Sequence, residues 1–155
     1  MKELSAALET FLDEPHVAIL ATLRRDGSPH QTAVWYLYEE GEIKISITEG
    51  RLKYKHVVRN PRVSVAIANH ALPYKEVVFE GNAETTASGG AELFRRLAVR
   101  YYGETDGNAY ADYDSRPGQE RRLALRFRPD RVMAYDFAVE DDYHRPWGKG
   151  YEMSF

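Results

Sequence analysis

The sequence predicts a mainly β domain, a small antiparallel barrel or sandwich carrying two or three short helices. Three observations point there. Apolar residues alternate in short runs over most of the chain, and turn-forming pairs such as Asp26–Gly27 separate those runs. Eleven Tyr and six Phe supply the aromatic content that strands favour. At 155 residues the chain suits one domain, residues 1–155, long enough to bury roughly 70% of its unfolded surface. No internal repeat and no linker composition divides it.

The first stretch, MKELSAALETFLDEP, reads as a short amphipathic helix with Leu4, Leu8, Phe11 and Leu12 on one side. Val17, Ile19 and Ala21 then alternate as a first strand, which Arg24–Pro29 interrupts. Its Asp-Gly pair favours a hairpin, because glycine tolerates the positive φ of such turns. A second strand runs from about His30 to Tyr38, and a third alternates through Ile43, Ile45 and Ile47. Arg51 to Asn60 predicts a short helix stopped by Pro61, whose ring disfavours helix in the preceding residue. RVSVAIA (62–68) and YKEVVFEGNAETT (74–86) follow as strands. Ser88 is placed to cap a helix that runs to about Tyr102, with a stripe of Phe94, Leu97, Ala98 and Tyr101 and with Gly103 at its end. Residues 104–118 have loop composition. RRLALRFRP and DRVMAYDF complete the sheet, and the tail from residue 138 shows no clear period. So many antiparallel strands call for closure to protect their edges.

Composition removes several function classes. Lys plus Arg number 21 against 24 Asp plus Glu, a formal charge of −3, which argues against a surface built for nucleic acid. The absence of cysteine excludes disulfides, thiolate metal sites and a cysteine nucleophile. No apolar run is long enough to span a bilayer, and acids interrupt the N-terminal stretch, so a cytoplasmic protein without a membrane contact is the expectation. The five histidines are scattered, with none two or four residues from another, so no metal motif is expected. There is no nucleophile elbow, phosphate loop or dinucleotide fingerprint. The catalytic residues are therefore unassigned, and a bound cofactor is the natural carrier of any chemistry.

The strongest local signal is cationic. Five of the twelve residues from Arg51 to Arg62 are Lys or Arg, and none is acidic. Arg51 and Lys53 follow a strand end and a glycine. In extended backbone their side chains share a side and can meet one phosphate, Arg as a planar fork and Lys as a point charge. A helix beginning near Lys53 would add its first N–H groups. Lys55 and Arg59, four apart, form a row able to meet a longer acidic ligand. The plainer reading is a solvated helix face, and Tyr54 among the cations leaves a nucleic-acid reading open. Val34-Trp35-Tyr36 on the second strand places aromatic bulk on both faces, as a buried strand or a subunit contact would, but also as a wall for a flat ring would. Ser46, Ile47 and Thr48, ending the third strand, lie close in sequence to the same corner.

The order of these features resembles the signature half of the pyridoxamine 5′-phosphate oxidase-like proteins, and within them the flavin/deazaflavin oxidoreductases that use coenzyme F420. The matching pieces are A-T-L closing the first strand, D-G-x-P, the aromatic second strand, the isoleucine-rich third, G-R-x-K, and a helix ending in N-P-R-V. The resemblance covers about residues 15 to 85 and, more loosely, the RFRPDRVMAYDF strands at residues 126–137. It implies an antiparallel six- to seven-stranded split β-barrel of the FMN-binding type with short peripheral helices. It also implies a homodimer holding its cofactor at the subunit interface. Arg51 and Lys53 match the family's phosphate-binding pair, Val34, Trp35 and Tyr36 with Ser46, Ile47 and Thr48 match the strands flanking the ring, and Lys55 falls where some relatives carry a base. The partner chain would contribute the region from Tyr74 to Phe79 and the tail with Trp147.

The C-terminal arginine motif of the true vitamin oxidases is missing from HRPWGKGYEMSF. The expectation is therefore an F420-dependent reductase passing hydride to a small electrophile, with Tyr36, His30, Lys55 or solvent as proton source. An FMN-dependent oxidase or reductase, and a non-catalytic protein that carries a cofactor or haem as cargo, are the alternatives.

Overall fold

A computed structural model describes residues 4–72, 74–136 and 150–154. Ser5 caps α1 (Ala6–Asp13), its hydroxyl accepting the Leu8 N–H at 3.3 Å, and Leu4, Phe11 and Leu12 are buried as the amphipathic pattern requires. The hairpin of β1 (Ala18–Leu23) and β2 (Pro29–Val34) follows, turned at Gly27 with φ of 85°. The inward residues of β1 are Ala18, Leu20 and Thr22, whereas Val17 and Ile19 face outward and stay partly exposed.

The predicted second strand is broken. It leaves β2 after Val34, turns through Trp35 and Tyr36, and resumes as β3 (Leu37–Glu39) in a different sheet. β4 (Glu42–Thr48) buries Ile43, Ile45 and Ile47, the alternation its sequence shows. α2 (Leu52–Arg59) and β5 (Arg62–Ala68) keep their expected places on either side of Pro61. The fifth predicted strand also breaks, at Ala83, into β6 (Lys75–Asn82) and β7 (Glu84–Thr86). The Ala83 N–H donates to the carbonyl of Pro61 at 2.8 Å, which pins that corner.

α3 (Gly90–Tyr102) buries Leu93, Phe94, Leu97 and Ala98. Its N-cap is Gly89 rather than Ser88, because the backbone there takes a φ of 73° that glycine tolerates. Residues 104–114, expected as loop, form α4 (Glu104–Asp114). That helix is held by proximity and polar contacts rather than by an apolar stripe. A Cβ at Gly107 would sit 2.5 Å from the backbone of Ala98, and the Arg95 guanidinium donates to Asn108 Oδ1 at 3.0 Å and to Asp112 Oδ1 at 2.5 Å.

β8 (Arg122–Phe127), β9 (Pro129–Asp136) and β10 (Gly150–Ser154) complete the chain. The sequence pattern did not reveal β10, which pairs with β9. One sheet runs β10-β9-β6-β5-β1-β2 and the other β3-β4-β8-β7, every pairing antiparallel. The two broken strands and β10 raise the strand count above the expected six or seven. The side chains between the sheets, among them Leu20, Tyr36, Ile45, Ile67, Phe79 and Leu125, form one core. The architecture is the mainly β, antiparallel split barrel expected. Among the described residues no helix is long and apolar enough to cross a membrane.

Candidate cofactor cleft

Where β2 and β4 diverge, their strand ends, α2 and the α3–α4 pair enclose a cleft of about 620 Å³. Seven of the nine residues picked out by the sequence line it: Val34, Trp35, Ser46, Ile47, Thr48, Arg51 and Lys53. Arg51 is the N-cap of α2 and Lys53 lies in its first turn, so both stand beside the positive end of the helix dipole. Burial, and then the neighbouring Arg51, hold the Lys53 ammonium below its ordinary pKa. Among the described residues no carboxylate lies within ion-pair distance of Lys53.

The other two site residues point elsewhere, for physical reasons. Tyr36 follows the break in the second strand, and its ring is fully buried in the core. Its hydroxyl donates to the carbonyls of Leu12 and Glu14 at 3.2 and 3.3 Å, and burial raises its pKa further. Lys55 is exposed and outside the cleft, because two helical residues are separated by about 200° of rotation and Lys53 already faces inward. Arg59 is also turned away, donating to the Leu23 carbonyl at 2.6 Å. The row Lys55–Arg59 therefore does not extend the cationic corner into the cleft. Trp35 is clasped by α3 and α4, stacking on Tyr101 at 5.0 Å and 13° and meeting Tyr102 and Tyr110 edge-on. Tyr74 is exposed on the approach to β6 while Val77 and Phe79 are core residues, and Trp147 lies outside the described residues.

The structure adds residues that the sequence did not assign to cofactor binding. Phe94, Leu97 and Tyr110 form the apolar wall from α3 and α4. Arg122 lines the same wall with its charge engaged, donating to both Asp114 oxygens at 2.7 and 2.6 Å and lying 3.7 Å over the Phe94 ring. Three buried polar atoms in the lining have no hydrogen-bond partner among the described residues: His30 Nδ1, Thr32 Oγ1 and Ser46 Oγ. Buried polar groups are nearly always paired, so three unpartnered atoms on residues lining one cleft stand out. No cluster of His, Asp or Glu among the described residues could hold a metal ion.

Fold and cleft together define a split-barrel protein with a cationic, aromatic-walled cavity. The sequence profile of pyridoxamine 5′-phosphate oxidase matches residues 4–136, and the chain belongs to that family. Among solved structures it is similar to a conserved hypothetical protein from Mycobacterium tuberculosis, with 25% identity over 89% of this chain and 88% of the other at a TM-score of 0.72. A protein named F420 reductase aligns at 23% identity over 83% and 98% of the two chains, TM-score 0.67. A heme binding protein from Mycobacterium smegmatis aligns at 22% identity over 99% of this chain and 60% of that one, TM-score 0.62. At these identities the last two likenesses speak for the fold.

Proposed function

We propose that the protein is an oxidoreductase that binds a phosphorylated flavin-type cofactor in this cleft, coenzyme F420 by preference, and serves the reduction of a small electrophilic molecule. The observation that carries the reading is the composition of the cleft lining. Two cations, Arg51 and Lys53, line the same cleft as Trp35 and as His30, Thr32 and Ser46, whose buried polar atoms have no partner among the described residues. A flat heterocycle with a hydrogen-bonding edge and a phosphate tail is the ligand chemistry that satisfies all three features. The reduced cofactor would supply the hydride.

The chain's own residues have separable tasks. Arg51 and Lys53, with the Thr48 hydroxyl, hold the phosphate. Ser46 and Thr32 meet the polar edge of the ring, and Val34, Ile47 and Trp35 exclude water around it. Of the three proposed side-chain proton sources, Tyr36 is sealed in the core and Lys55 is outside the cleft, whereas His30 lines it. Val17 lines the cleft while Ile19, the next outward residue of β1, is 38% exposed, which supports a homodimer whose partner borders the cavity.

Titration of the purified protein with F420 and with FMN, followed by fluorescence, tests the preference. Tighter F420 binding supports the deazaflavin reading, and tighter FMN binding moves the assignment to a flavoenzyme. The likeness to a heme binding protein supports a second reading, a carrier whose ligand is cargo. A carrier would bind its ligand without oxidising the reduced cofactor in the presence of any acceptor.

A further inference from the structure

At the cationic corner, a carboxylate of the chain itself already occupies the place an anion would take. Glu120 lies in the segment between α4 and β8. Its Oε2 accepts a hydrogen bond from Thr48 Oγ1 and stands 4.0 Å from Arg51 Nε. Its Oε1 lies directly over Gly50, where an added Cβ would be 2.1 Å away. Glycine at position 50 is thus what leaves room for the acid. The segment is tied to the end of β4 on its other side, where the Glu49 N–H donates to the Arg121 carbonyl at 3.4 Å and Arg121 Nη1 meets Glu49 Oε1 at 3.5 Å. The Glu120 side chain is nevertheless 54% exposed and Arg51 72%, so the contact is screened and reversible.

We propose that Glu120 is an internal competitor for the anion seat formed by Thr48 and Arg51, and thereby sets the affinity and selectivity of the cleft for phosphate. The proposal rests on the reading of this corner as a phosphate site. The phosphate monoester of FMN carries about −1.5 to −2 charge and three strong acceptor oxygens. The phosphodiester of F420 brings a single charge followed by the carboxylates of its tail, so either outcompetes a single exposed carboxylate. A weaker anion gains little by the exchange and is rejected. The apparent affinity is lowered by the fraction of molecules in which the seat is closed, so closure in about 70–90% of them costs about three- to tenfold. The opposite role is a positioning one, in which Glu120 aims Arg51 at the ligand, and it predicts the opposite sign.

The test compares two ligand pairs that differ by their phosphate-bearing tails, FMN with riboflavin and F420 with its unphosphorylated deazaflavin chromophore. Each is titrated against the full chain as wild type, Glu120→Gln, Gly50→Ala and Arg51→Ala, with thermal unfolding as a check on folding. Glu120→Gln should tighten the phosphorylated ligand about three- to tenfold and leave the unphosphorylated one unchanged. Gly50→Ala, which pushes the acid from its seat without removing its charge, should move the same way by less. Equal or weaker binding of the phosphorylated ligand to Glu120→Gln overturns the proposal, as does failure of that variant to bind either pair. If Arg51→Ala binds as wild type does, the phosphate-site reading itself has failed, and that result is distinct from an effect of the wrong sign at Glu120.

Discussion

The ring of His30 meets the ring of His56 edge-on, with centroids 5.1 Å apart and planes at 84°. His30 reaches the cleft from β2, and His56 stands behind it on α2, buried, with Nδ1 3.0 Å from the Thr22 hydroxyl. The strand that lines the cavity and the helix that carries Lys53 are thus joined through two imidazoles.

The buried position of His56 makes stability depend on pH. Burial first, then His30 from β2, Arg59 on α2 and Arg24 in the β1–β2 turn, hold the His56 pKa below its ordinary value. The folded state therefore binds fewer protons than the unfolded state, in which histidine titrates near about 6.5. Its contribution is complete above that value and declines as pH falls below it. Denaturant unfolding between pH 7.5 and 5.5 should show wild type losing more stability than His56→Asn. Parallel curves for the two proteins would contradict the assignment.

Removing an unpaired hydroxyl from the cleft should separate stability from binding. Thr32→Val deletes a buried group without a partner and so should leave stability unchanged or raise it by about 1 kcal/mol. If Thr32 meets the cofactor edge, the same change weakens binding by about 0.5–1.5 kcal/mol, roughly 2- to 12-fold. A fall in both quantities would mean that Thr32 is a structural residue.

Arg51→Ala should weaken binding of the phosphorylated cofactor by about 1.5–3 kcal/mol, the range for hydrogen bonds to charged groups. Arg131→Ala is the control, since Arg131 lies on β9 outside the cleft, where its Nη1 is 3.4 Å from Glu80. Its effect should be small. Comparable losses from both substitutions, read by calorimetry, would remove the cationic corner from the account.

The close approach of α4 to α3 is also measurable. Gly107→Val forces branched carbon into the backbone of Ala98 and Val99, and overpacking of this kind costs about 1–3 kcal/mol. Melting temperature should fall by about 2–4 °C for each kcal/mol lost. Since α4 supplies Tyr110 to the cleft, cofactor affinity should fall with it; an unchanged melting temperature would show that the helices are not in contact there.

What the sequence revealed follows from where its signals were local. Ile43, Ile45 and Ile47 announce β4 by alternation, and Arg51 with Lys53 announce the cationic corner because both belong to one turn of chain. Lys55 was named from its helical row with Arg59 and from the family resemblance, and the structure places that row on the face of α2 turned away from the cleft, which residue spacing alone does not disclose. α4 was hidden because its stability comes from Gly107 against Ala98 and from Arg95, contacts that leave no apolar period in residues 104–114. Glu120 was invisible for a simpler reason. Its partner Thr48 is 72 residues away, and nothing in either neighbourhood points to the other.

A two-dimensional amide NMR titration of this 17.8 kDa chain with F420 and with FMN would locate the cofactor on the fold. The largest shifts should fall on residues 32–35 and 46–53, with the Glu120 amide moving as the phosphate arrives. Shifts concentrated instead around Arg62, Gly81 and Arg131, on the groove of the six-stranded sheet, would contradict binding in the cleft.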